Sequence, residues 1–277
     1  MRKLLLPLLT IGFAGLMVLG VGYDNALDDP IIRTATVEVA EWPDDAPPMR
    51  VLALSDVHVA GPDMPPERLR RIVDRLMELR PDLIVVSGDL VSEKRMATEI
   101  FPAQEILEAM SRLEAPLGVI IVPGNHDHWA GLAPFLEAAT QHDFTVLQNN
   151  AVSRGPFRIV GIDDDYSGHA DPPKAMNSLS TLPRGIPLLV THSPDIIPAI
   201  RTTFRAIFAG HTHCGQISLP GIGPVATMSR YGRRFACGDI ADAGQRIFVS
   251  AGLGTSLLPL RFGAPPDVWL VRFGPEV

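Results

Sequence analysis

Val51-Leu52-Ala53-Leu54-Ser55-Asp56-Val57-His58 sets four apolar residues directly before an Asp-x-His pair. A short unbroken apolar run bounded by polar residues is the pattern of a strand buried on both faces. The same grammar recurs four times. Leu83 to Val86 leads into Gly88-Asp89, and Leu117 to Val122 into Gly124-Asn125-His126-Asp127. Leu188 to Val190 leads into Thr191-His192-Ser193, and Ala206 to Ala209 into Gly210-His211-Thr212-His213. Between the first three runs the apolar spacing turns helical. Leu69, Ile72, Val73 and Leu76 follow the helix start Asp63-Met64-Pro65-Pro66, with an end expected before Pro81. Ala103, Ile106, Met110 and Leu113 mark one face of a second helix over 99–113. Strand, helix, strand, helix, strand predicts a layered α/β fold. Ligands of such folds gather outside the carboxyl ends of the strands, so the five polar pieces should converge.

Outside this region, residues 31–39 read as an early strand before a Pro-rich bend over 42–48. Further strands are expected over 157–162, 246–250 and 268–272, with short helices over 132–139 and 195–200. A chain of 277 residues, 46% hydrophobic, can bury a substantial core, and no linker or charge block divides it. The formal net charge of −7 argues against a nucleic-acid partner. Cys214 and Cys237 are too few for a disulfide framework; one bridge and two free thiols both stand open.

At the N-terminus, Arg2 and Lys3 precede an uncharged apolar stretch from Leu4 to Tyr23. About 20 residues just span a bilayer core, and the same pattern describes a signal peptide. Gly20-Val21-Gly22 is the one small-x-small site, so an uncleaved anchor is favoured over a cleaved peptide, with a buried core helix third. The basic residues lie before the span and Asp24, Asp28 and Asp29 after it. The positive-inside rule then places the rest of the chain on the extracytosolic face of the plasma (inner) membrane. The expected division is 1–23 as signal anchor or signal peptide, 24–49 as a strand and linker packed on the domain, and 50–277 as the catalytic domain.

Five of the eight histidines fall inside the five polar pieces. In an extended segment, Asp56 and His58 face the same way and reach one ion, as do His211 and His213. Asp89 offers a carboxylate able to bridge two cations. Asn125 supplies a neutral oxygen, His126 a proton donor, and Asp127 a carboxylate to orient and charge that imidazole. Each piece alone has a bland explanation as a turn, a cap or a satisfied core histidine. Five together, in order and all at strand ends, do not.

The series Asp-x-His, Gly-Asp, Gly-Asn-His-Asp, His and Gly-His-x-His resembles the calcineurin-like metallophosphoesterase family from about Arg50 onwards. The resemblance implies a four-layer α/β/β/α sandwich, preceded here by the N-terminal apolar helix. It also implies one divalent metal ion on Asp56, His58 and His213, a second on Asn125, His192 and His211, and Asp89 between them. The donor set admits Mn, Fe or Zn. His126 would be the acid or transition-state stabiliser, with Asp127 its partner, and the reaction an in-line hydrolysis of a phosphate ester.

His211 to Ile217 and Gly252-Leu253-Gly254-Thr255-Ser256 look like the membrane-associated YkuE/YaeI-type branch, although Cys214 departs from its usual glycine. A small packed residue, rather than an extra ligand, is expected at Cys214. Ser92 and His58 stand where purple acid phosphatases need Tyr and Gly, which disfavours that branch.

The expected partner is a phosphate-ester small molecule or lipid headgroup, with a phosphodiester or pyrophosphate in a membrane-proximal lipid leading and UDP-2,3-diacylglucosamine one candidate. Its cytosolic location conflicts with the outward orientation. The alternatives are a broad extracytosolic phosphodiesterase or phosphomonoesterase on soluble esters, and an inactive membrane-tethered phosphate-binding module. Substrate-binding residues are not identified. Arg230, Arg233 and Arg234 form either a clamp for a second phosphate or a solvated loop. His128, His142 and His169 read as ordinary surface residues, and 163–180 as a lid or a long connection.

Overall fold

A computed structural model describes residues 2–200 and 203–276, giving the helical backbone alone for 2–9 and 11. In chain order the elements are α1 (Arg2–Leu27), β1 (Ile31–Glu38), β2 (Met49–Leu54), α2 (Pro66–Met77), β3 (Leu83–Ser87), α3 (Ala103–Met110), β4 (Val119–Val122), α4 (Asn125–Trp129) and α5 (Leu132–Gln141). There follow β5 (Thr145–Val146), β6 (Asn150–Arg154), β7 (Phe157–Ile162), α6 (Pro172–Ser180), β8 (Ile186–Thr191), β9 (Ala206–Ala209), β10 (Ser218–Leu219), β11 (Gly223–Pro224), β12 (Gly238–Asp242), β13 (Gln245–Val249) and β14 (Asp267–Gly274).

Two six-stranded sheets, ordered β1-β14-β2-β3-β4-β5 and β12-β13-β9-β8-β7-β6, carry the described chain, with β10 and β11 pairing separately. Side chains alternate across each strand, which is what makes the layers. Val51, Ala53, Val85 and Ile120 of the first sheet meet Phe157, Ile159, Leu188 and Phe208 of the second in one buried cluster. The opposite faces, Leu52, Leu54, Ile84 and Val86, pack under α2, α3 and α5 through Leu69, Ile72, Ile106 and Phe135. Val160, Leu189 and Ile207 pack under Ala175 and Leu179 of α6 and under Phe204 and Phe235. The result is the expected α/β/β/α sandwich. β2, β3 and β4 run parallel, as do β7, β8, β9 and β13. All their carboxyl ends therefore open on one rim.

The expected helix over 99–113 is shorter, and the one over 195–200 is a 3₁₀ turn over Pro194–Ala199. The region 163–180 is more than a bare connection, because it contains α6, which packs on the second sheet. Its cap is Asp171, whose Oδ1 accepts from the Lys174 amide at 3.0 Å. α1 runs past Tyr23, and its end docks on the sandwich. The Arg261 amide donates to Gly22 O at 2.8 Å, Asn25 donates to Arg261 O at 3.0 Å, and Ala26 is buried. Among the described residues, no helix is long and apolar enough to cross a membrane. The anchor expectation falls partly on side chains 1–9 and 11, outside the described ones.

Candidate metal centre

The loop after β2 carries Asp56 and His58, and the loop after β9 carries His211 and His213. The His211 amide donates to both Asp56 carboxylate oxygens at 3.0 Å, tying the sheets together at the rim. A Cβ on Gly210 would fall 2.2 Å from Asp56 Oδ2, so only glycine permits this approach. His213 Nε2 lies 3.4 Å from Asp56 Oδ1 and 3.1 Å from His58 Nε2. On the other side, His192 Nε2 and His211 Nδ1 each lie 3.1 Å from Asn125 Oδ1 and 3.2 Å from each other. Asp89 stands between the two groups, its Oδ2 3.5 Å from His58 Nε2 and 3.1 Å from His192 Nε2. Ligand atoms of Asp56, His58 and His213 lie mutually within 4.8 Å, as do those of Asp56, Asp89 and His192.

The donor chemistry fits cations. His192 Nδ1 donates to the Ser87 carbonyl at 2.7 Å, which turns the lone pair of Nε2 inward. Burial holds His58 and His213 well below the usual histidine range, and burial with the charge on His192 brings His211 to about 4. These imidazoles are neutral ligands in waiting. His192 is the exception: burial alone would lower it, yet the charge and hydrogen bond of Asp89 hold it well above its ordinary value. Burial would raise Asp89 in turn, but His192 keeps it low.

The family model for calcineurin-like phosphoesterases matches residues 49–215, the span that carries all five polar pieces. This chain belongs to that family. It is similar to the metallophosphoesterase YkuE of Bacillus subtilis (strain 168), at 31% identity over 90% of this chain and 88% of the relative. Phosphodiesterase YaeI of Escherichia coli (strain K12) is 28% identical over 91% and 92%. A zebrafish (Danio rerio) transmembrane protein with a metallophosphoesterase domain is 27% identical over 89% of this chain and 58% of its own length. The chain is a metal-dependent phosphoester hydrolase, and its Asp and His clusters are the candidate ligands.

Several local readings of this phosphoesterase need correction. Asp56, His58, Asp89, His211 and His213 are not in extended backbone; their φ values of 47°, 45°, 54°, 67° and 49° are left-handed. Such strain in non-glycine residues persists only where surrounding structure holds it, and here it aims the ligands. Asp127 has a different partner from the one expected. Its carboxylate accepts from the amides of Asp89, Leu90, Val91 and Gly124, each at 2.9 Å, rather than from the His126 ring. His126 itself donates its amide to Asp89 Oδ1 at 2.8 Å, and its ring packs edge-on against His58 and Trp129. Cys214 is bonded to Cys237, which closes the question of a free thiol.

His128 is not an ordinary surface residue, since it turns inward onto Asp163 at 2.7 Å and stacks on His169 at 3.7 Å. Arg230 is bound to Asp165 and Asp195, Arg233 donates to Ile222 O, and Arg234 pairs with Asp242. No clamp forms from them. The sequence reading also missed Asp163 and Asp164, both buried, and Tyr166, whose ring lies 4.5 Å from that of His211. The signal was available, because Asp163 to Asp165 follow the apolar run 157–162 as the other polar pieces follow theirs.

A cavity of about 400 Å³ opens over Asp89, Asn125, His126, His211 and His213. Its walls carry Trp129, Tyr166, Val225, Met228, Leu257 and Leu258, interspersed with Thr212, Gln216 and Ser256.

Proposed function

We propose that this phosphoesterase hydrolyses a phosphodiester or pyrophosphate bond with two divalent ions, in a membrane-proximal or lipid-linked substrate. The observation that carries the proposal is Asp89 standing between Asp56-His58-His213 and Asn125-His192-His211. Mn, Fe or Zn held by these groups would neutralise phosphoryl charge and make water nucleophilic. The chain's own part is orientation and proton transfer. A water oxygen would bond to phosphorus as the ester P–O bond breaks; the departing oxygen takes a proton from His126 at the cavity floor, and the proton lost by the water restores that ring for the next turnover.

Two observations support a membrane-proximal site outside the cytosol. α1 exposes Phe13, Leu16, Met17, Val18, Leu19 and Val21 around its circumference. The Cys214–Cys237 bridge suits an oxidising compartment. The name of the zebrafish relative, a transmembrane protein, supports the membrane part of this reading alone. The test is hydrolysis of a bis-ester and a mono-ester by the purified chain as each ion is supplied. Metal-dependent turnover of the bis-ester, lost in Asp89→Asn, supports the proposal, and metal-independent turnover refutes it.

A further inference from the structure

The cavity above the metal-ligating cluster has an aromatic wall and an aliphatic wall. Trp129 and Tyr166 form the first, with ring centroids 6.2 Å apart, and Val225, Met228, Leu257 and Leu258 line the second. All six are substantially exposed, from 41% for Leu258 to 65% for Val225 and Leu257. Large apolar side chains left in water around a polar floor mark a place that something apolar covers. No lysine or arginine among the described residues lines the cavity. Arg230, Arg233 and Arg234, the nearest candidates by sequence, are engaged with Asp165, Ile222 O and Asp242 instead. A second phosphate on the substrate would find no cation there.

The aliphatic wall leads away from the cluster toward α1. Gln216 donates to Leu258 O at 2.9 Å and to Leu260 O at 3.1 Å, which fixes the turn carrying Leu257 and Leu258. The same turn reaches Leu260 and Phe262, the side chains against which Gly22 of α1 sits. Beyond Gly22 the helix presents Val21, Val18 and Met17 to solvent. Apolar surface therefore runs from the mouth of the cavity to the base of an apolar helix.

We infer that this cavity is a subsite for the hydrocarbon arm of the substrate, and that the preferred substrate is a phosphodiester with one long, uncharged apolar arm rather than a pyrophosphate. The inference rests on the hydrolase reading above. The occupant is tied to a phosphoryl group because the cavity floor is the cluster itself. It is uncharged because the walls offer it no counter-charge.

The experiment compares kcat/KM of the full chain, supplied with Mn²⁺, on methyl and octyl 4-nitrophenyl phosphate, both below micelle-forming concentration. Burial of methylenes raises the ratio by roughly fourfold each, so an octyl preference of at least about tenfold is expected. The double variant Val225→Ser, Leu257→Ser changes two residues that are each 65% exposed, so the fold should stand, and the octyl-to-methyl ratio should fall toward one. Equal kcat/KM for the two esters in the wild-type chain, or an undiminished preference in the double variant, overturns the subsite. Absence of turnover on both esters with Mn²⁺, Fe²⁺ and Zn²⁺ overturns the underlying hydrolase reading instead.

Discussion

The Asp89 amide donates to Asp127 Oδ2 at 2.9 Å, and the Gly124 amide donates to the same oxygen at the same distance. Leu90 and Val91 fill the other oxygen. Asp127 thus clips the loop after β3 to the loop after β4, which sets Asp89 opposite Asn125. Asp127→Asn would turn an amide NH₂ onto backbone donors. Metal affinity should fall about 10- to 100-fold, as for other groups that orient ligands. A metal titration of the variant against the wild-type chain checks this.

His126 serves as the proton donor in the proposed reaction. His126→Ala should lower kcat about 10²- to 10⁴-fold on esters with alkyl leaving groups. The loss should be smaller for 4-nitrophenolate, which leaves without a proton. Calorimetric metal titration should give the wild-type stoichiometry. Equal losses on both leaving groups would remove His126 from that role.

The metal-free site holds a proton on His192, whose affinity Asp89 raises. A metal ion needs the Nε2 lone pair, so binding must release that proton. Apparent metal affinity should therefore rise about tenfold per pH unit between about pH 7 and the raised His192 value, and level off above that value. Below about 7 the rise should be steeper, because burial raises the Asp56 carboxyl to about 7 and it too must lose a proton, whereas His58, His211 and His213 are neutral there and add none. Calorimetry in two buffers of different ionisation heat counts the released protons.

Arg261 is wholly buried and donates to the carbonyls of Ala251, Gly252 and Ala264, at 2.8, 3.1 and 2.8 Å, and to that of Gly254. That turn donates in turn from Leu253 to Ser55 O and from Gly254 to Asp56 O. Arg261→Met leaves the Ala251, Gly254 and Ala264 carbonyls without donors, at about 1–3 kcal/mol each, while Gly252 O keeps the Asp267 amide at 3.3 Å. The denaturation midpoint should drop sharply, and metal affinity should drop with it because Asp56 loses its brace.

The Cys214–Cys237 bridge closes the segment that contributes Val225 and Met228 to the cavity. Replacing both cysteines by serine should cost about 2–4 kcal/mol of stability, read as a lower Tm.

The metal-ligating set was legible because polar residues stood directly after apolar runs, and parallel strands place such residues on one rim. What sequence spacing could not show was the backbone. Asp56 and His58 share a site through left-handed φ values imposed by tertiary contacts, not through strand alternation. Asp127 could not be assigned its partners either, since Asp89, Leu90 and Val91 lie 38, 37 and 36 residues away and offer only backbone. β6 and β12 escaped because they are edge strands, half exposed and without a long apolar run. α6 carried its own signal in Asp171-Pro172-Pro173, a cap followed by proline in the first turn.

The most direct measurement is anomalous diffraction from crystals of the chain soaked in Mn²⁺. The account predicts two peaks, one on each side of the Asp89 carboxylate, the first among Asp56, His58 and His213 and the second among Asn125, His192 and His211. A single peak, or peaks remote from Asp89, would contradict it.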